Sequence, residues 1–171
     1  TTSVEQLSVN AVTATTVDAA TMGGVTDVYN NASLAAVTVN GLAALANVHV
    51  LNTNQSTTVT FAAAAVAGAA DATTVLLNGA ATTALAAPIV TVNGIETINL
   101  VAAGTASGSA TTNTTVTSNS LTTLNITGVS AVVSAGLPGA TATVTGTVAS
   151  DAGAHDVTIT GVVAADKLSV S

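Results

Sequence analysis

Eight carboxylates and two histidines are the side chains of this chain that could do proton or metal chemistry. General acid–base catalysis near neutral pH draws first on histidine, which singles out His49 and His155. Neither has company. The chain has no Cys, no Gly-x-Ser-x-Gly element, and no Gly-x-Gly-x-x-Gly or phosphate loop. His49 stands between Val48 and Val50, and strand alternation aims it at the outer face. No catalytic residue is therefore assigned, and the expected class is not an enzyme. The carboxylates offer calcium chemistry instead. Asp151 and Asp156, with Asp166 nearby, are the candidate oxygen ligands. Calcium takes about six to eight oxygens, and the Gly-rich acidic loops that would gather them are absent. Exposed turn residues are the plainer role for these three, and for Asp18, Asp27 and Asp71. Glu5 and Glu96 hold matching positions in two copies of a motif described below. There a corner role is expected, with the carboxylate accepting from neighbouring backbone amides. Asn-x-Ser/Thr occurs at Asn31, Asn54, Asn113 and Asn125, matches of little weight in a chain so rich in these residues.

The charge balance excludes whole classes of partner. Lys167 is the only cation, and the net charge is −7. Phosphate backbones are held by several cations, so nucleic acid is excluded, and anionic membrane surfaces are disfavoured. Mean hydropathy is high, at +0.68. Yet the longest apolar run, Phe61 to Ala70, stops at Asp71, well short of the roughly 20 residues a spanning helix needs. A soluble chain with no membrane insertion is expected. The absence of Cys removes disulfides and thiolate metal sites. Thr1 opens the chain with neither a Met nor a signal peptide, as expected of a piece of something longer or processed.

The elements that must position these residues read as β-structure. Charged residues make up 5% of the chain, against about 25% in average proteins. The polar content is Thr, Ser and Asn, which leaves little to coat a helix, and Thr suits strands. Phe61 and Tyr29 are the only aromatics, so the core must be thin and closely stacked. The central motif is Ile95-Glu96-Thr97-Ile98-Asn99-Leu100. Near copies are Val4 to Val9, Leu34 to Val39 and Leu121 to Ile126. The last two apolar residues share one strand face. The leading residue joins them inside if the chain turns a corner. A strand on a corner, repeated, predicts an all-β, irregular parallel β-solenoid.

A longer repeat also emerges. Val4–Leu7 matches Ile95–Ile98, Leu34–Gly41 matches Leu121–Gly128, and Val75–Gly79 matches Val157–Gly161. This predicts two units, 1–93 and 94–171, within one continuous solenoid. Ala62 to Ala70 is the one stretch that reads as a short helix, though Gly68 and a missing cap argue against it. The rival architecture is two tandem antiparallel β-sandwich domains, with Asn40-Gly41, Asn78-Gly79 and Asn93-Gly94 as hairpin turns. Poverty in aromatics favours the solenoid, because a sandwich core is about 10 Å thick and filled by large side chains. Thr pairs two apart, such as Thr13/Thr15, Thr58/Thr60 and Thr143/Thr145, would line one face. Stacked in register they would form the flat Thr array of ice-binding solenoids; uneven rung spacing argues against a regular array and leaves ice binding as the minor alternative function.

Gly94-Ile95-Glu96-Thr97-Ile98-Asn99-Leu100, then a Thr/Ala/Gly/Ser-rich stretch, then Leu121-Thr122-Thr123-Leu124-Asn125-Ile126, resembles the repeats of bacterial surface-layer proteins and related type I-secreted surface proteins. The resemblance runs from Val4 to Val170, chiefly in style and in this phrase. It implies an extracellular structural protein at a bacterial cell surface that assembles with like subunits in a lattice or coat. Cell-surface polysaccharide is a further partner class. Members of that group often bind calcium through Gly-Gly-x-Gly-x-Asp repeats and carry C-terminal secretion signals; neither occurs here. The rival within this class is a repeat segment of a large secreted adhesin, biofilm-matrix or filament protein.

Overall fold

Valine and threonine alternate in several segments, such as Val37-Thr38-Val39 and Val90-Thr91-Val92, and β-branched residues favour the extended backbone. The computed structural model describes residues 4–78, 89–103, 113–128, 132–136, 143–146, 157–160 and 167–170. Among them no helix forms. In chain order the strands are β1 (Gln6–Val9), β2 (Thr15–Asp18), β3 (Asp27–Asn31), β4 (Val37–Leu42), β5 (Asn47–Leu51), β6 (Thr57–Phe61), β7 (Ala72–Asn78) and β8 (Ile89–Val92). They continue as β9 (Thr97–Ala103), β10 (Asn113–Thr117), β11 (Thr123–Gly128), β12 (Val132–Gly136), β13 (Thr143–Gly146), β14 (Val157–Thr160) and β15 (Lys167–Val170). Odd strands form an eight-stranded sheet and even strands a seven-stranded sheet, each in sequence order. Every pairing is parallel, from β1 with β3 to β13 with β15.

This is a parallel β-solenoid of two strands per coil, as the motif predicts. The antiparallel sandwich alternative falls with the same observation. Asn40-Gly41 is not a hairpin but lies inside β4. Asn93-Gly94 turns the corner between β8 and β9, strands of different sheets. Asn78 ends β7, and Gly79 lies outside the described residues. The eight-stranded sheet passes residues 93 and 94 through the pairing of β7 with β9. Of the three sequence matches, only Val4–Leu7 with Ile95–Ile98 joins strands of one sheet. β4 and β11 belong to different sheets, as do β7 and β14.

Coil length varies while the strands stay paired, with one register shift between Val39 and Leu42 where β4 meets β6. Asp27 pairs with Asn47, Val48 with Val75, and Thr57 with Val90. Among the described residues, the extra ones of these coils lie between strands. The largest described insertion is Ala62 to Asp71, and it is not the short helix the sequence suggested. It forms successive turns and bends. Val66 packs against the core there, directly over Gly94.

The core is a narrow seam between the two sheets. Val28, Val48, Val75 and Leu100 stack from one side. Val37, Val39, Val59, Val90, Val92 and Val116 close it from the other. Each such side chain contributes about 1.5–3 kcal/mol when fully buried. The leading residues Ile95 and Leu121 are fully buried, so the chain does turn its corner between them and Ile98 or Leu124. Two leading residues are exposed, Val4 at 40% on the first coil and Leu34 at 72%. The second is misplaced by its corner. It lies at the opposite corner, where Ser33 takes the inward place. Ser33 Oγ accepts from the Ala11 amide at 2.9 Å, and its carbonyl accepts from Thr53 Oγ1 at 2.7 Å.

Candidate functional site

Apart from the buried Asn30–Thr57 pair, most of the described polar chemistry lies on the two outer faces and at the corners. On the eight-stranded sheet, register places Tyr29 opposite His49 and Asp27 opposite Asn47. His49 points outward, as alternation requires, with Val48 and Val50 buried on either side. Its Nε2 lies 2.9 Å from Asp27 Oδ1. The Tyr29 and His49 rings stack with centroids 4.3 Å apart and planes 12° apart. Asn47 Nδ2 donates to Asp27 Oδ1 at 3.3 Å, and Thr26 Oγ1 donates to Asp27 Oδ2 at 2.8 Å. The Asp27 carboxyl is held below its usual range, first by the hydrogen bond to His49. Burial opposes that shift, and the bonds from Thr26 and Asn47 reinforce it. A histidine–carboxylate pair is part of a general-base arrangement. Here the imidazole's contacts are Asp27 and the stacked Tyr29 ring, with no nucleophile in hydrogen-bond reach among the described residues, and the pair clamps β3 to β5.

Glu96 takes the corner role expected of it. Its Oε2 accepts from the Asp71 amide one coil away at 2.9 Å. The main chains interlock in the same place. Asp71 O accepts from the Glu96 and Thr97 amides, and Glu96 O accepts from the Thr122 and Thr123 amides. Glu5 shares this backbone pattern, since its carbonyl accepts from the Thr26 and Asp27 amides, but its side chain is exposed. Asp71 Oδ2 is buried without a partner. At the same corner Ser118 Oγ accepts from the Ile95 amide at 3.0 Å and donates to its carbonyl at 2.7 Å. Asp18 Oδ1 caps a turn by accepting from the Ala20 amide. Among the described residues no three His, Cys, Asp or Glu side chains gather to hold a metal ion. The calcium candidates Asp151, Asp156 and Asp166 lie outside the described residues, as does His155.

The seven-stranded sheet shows a feature the sequence spacing argued against. Thr16 pairs with Thr38, Thr38 with Thr58, Thr58 with Thr91, and Thr91 with Thr117. Five outward threonines thus stand in one column across five coils. Thr117 Oγ1 donates to Thr91 Oγ1 at 3.2 Å. Of the Thr pairs read from sequence, only Thr58/Thr60 belongs to this face. Thr13 precedes β2, and Thr143/Thr145 falls in the other sheet. Uneven coil lengths do not break the column, because backbone pairing keeps these threonines in register. The column follows from the pairing register and not from any fixed spacing in the sequence.

Comparison with family models, curated proteins and solved structures gives no match for this chain.

Proposed function

We propose that this chain is an extracellular structural protein of the bacterial surface-layer type, built to associate with further coils of its own kind. The observation that carries this reading is the state of the first coil. Leu7 pairs with Val28, and Val17 with Val39. Val28 and Val39 are fully buried, whereas Leu7 and Val17 are only partly so. Met22 is likewise half-covered, and Val4 is 40% exposed. The difference is a missing neighbour: each coil is sealed by the next. Among the described residues β1 pairs only with β3 and β2 only with β4, and a strand edge of this kind templates another strand. This end accepts a further parallel coil, whichever polypeptide supplies it.

Two other properties support assembly. Coil-to-coil backbone hydrogen bonds stabilise the body without many large side chains. A surface carrying one cation and eight acids over 171 residues offers little charge to repel or specify foreign partners. The role proposed is architectural, at the cell surface, with like subunits as partners.

Light scattering across a concentration series, paired with electron microscopy, tests it. The chain should form end-on oligomers, filaments or sheets. Leu7→Lys, which places a charge at the open end, should leave monomers. A wild-type chain that stays monodisperse and monomeric at every concentration, with and without calcium, refutes the reading.

A further inference from the structure

The threonine column on the seven-stranded sheet is neither explained by folding nor used by end-on assembly. We propose that this face, Thr16–Thr38–Thr58–Thr91–Thr117, orders water and binds ice. Strand neighbours in a sheet lie about 4.8 Å apart, so the five hydroxyls and five methyls repeat at that interval along the stack. That interval is close to the oxygen repeat along the basal axis of hexagonal ice. Threonine is stiff at χ1, and Thr38 and Thr91 are each braced by buried valines on both sides, Thr58 by Thr57 and Val59, and Thr117 by Val116 and Ser118. The groups therefore keep one orientation rung after rung. The Thr117–Thr91 hydroxyl bond aligns two of them directly.

The flanking positions suit the same occupant. Asn40 and Thr60 stand beside Thr38 and Thr58, with the Thr60 hydroxyl donating to Asn40 Oδ1 at 3.3 Å. Asp18, on the first rung, is the only charged side chain on these five strands. A neutral hydroxyl face does not recruit ionic ligands. Five strands at about 4.8 Å, read across one short strand length, give roughly 400 Å², half of the roughly 800 Å² each partner contributes to a stable protein complex. Ice makes no such demand, because waters ordered in the troughs between rungs become part of the growing lattice instead of being expelled.

The test is ice recrystallisation inhibition and single-crystal shaping by the full chain, with circular dichroism to confirm sheet content. Wild type should suppress recrystallisation and facet ice crystals. Thr58→Tyr and Thr91→Tyr should each abolish both effects, one serving if the other fails to fold. Ser8→Tyr, on the outer face of the other sheet, should leave both intact. Leu7→Lys should also retain both, which separates this face from the assembling end. Absence of activity in wild type overturns the proposal. So does full activity in a folded Thr58→Tyr or Thr91→Tyr chain, or adsorption to an insoluble polysaccharide with no effect on ice.

Discussion

Replacing Gly94 by alanine tests the corner on which the central motif depends. Gly94 has φ of +88°, in the left-handed region where an L side chain costs about 1–2 kcal/mol. A Cβ built there would sit 2.9 Å from both Cβ and Cγ2 of Val66 and 3.1 Å from its Cγ1. Val66 is itself packed on the core, so relief requires moving the 62–71 segment, an overpacking cost of about 1–3 kcal/mol. Together these give a loss of about 2–5 kcal/mol. For a chain of this length one kcal/mol shifts the melting temperature by about 2–4 °C, so a fall of roughly 10 °C is expected. Urea and thermal unfolding followed by far-ultraviolet circular dichroism would read it. Gly23→Ala is the internal control, since no atom lies within 4 Å of its Cβ position and its φ is not left-handed. It should be stabilising by about 0.4–1 kcal/mol through the unfolded state. In a Val66→Gly background, Gly94→Ala should lose its steric part and keep only the backbone part. If Gly94→Ala unfolds at the wild-type midpoint, or Gly23→Ala loses as much, the argument for a closed Gly94–Val66 corner is wrong.

Two further substitutions probe polar groups. Asn30 is fully buried; its Nδ2 donates to Thr57 Oγ1 at 2.8 Å while its Oδ1 has no partner. Thr57→Val should destabilise by about 1–3 kcal/mol by orphaning that donor, whereas Asn30→Val with Thr57→Val should match or exceed wild type in denaturant midpoint. At the outer face, a double-mutant cycle of Asp27→Ala and His49→Ala should give a coupling of about 1 kcal/mol for this partly exposed pair. The folded pKa of Asp27 lies below its unfolded value of 3.8. Its contribution is therefore present above about pH 4 and lost as pH falls from there through the folded pKa. Repeating the cycle down to pH 3 should show the coupling shrink, and a pH-independent coupling would contradict the hydrogen-bonded geometry.

The architecture was legible because two signals agreed. Corner-plus-strand motifs called for coils, and poverty in aromatics called for a thin core. Sheet membership was not legible. Both sheets bury alternate residues against one seam, so Val37 and Val39 of β4 read like Leu124 and Ile126 of β11, although the strands belong to different sheets. Leu34 misled for the same reason: its spacing fits the motif, but Ser33 fills the inward place at that corner. The Asp27–Tyr29–His49 cluster escaped notice because its members meet across a coil of about twenty residues. The next coil, from Val48 to Val75, is longer, which hides the period. Uneven spacing in the sequence argues against a regular threonine array, but spacing follows coil length while register is set by backbone pairing.

The direction of the backbone hydrogen bonds has a mechanical meaning. In this solenoid they run between coils, parallel to the long axis, so tension applied end to end loads one coil boundary at a time. Such a body yields by unzipping, and each released coil pays out its own contour length. At about 3.3–3.6 Å per residue, the coil from Asp27 to Asn47 yields roughly 70 Å and the coil from Val48 to Val75 roughly 90 Å. Unequal coils thus make a chain that lengthens under load in distinct steps, absorbing work at each one.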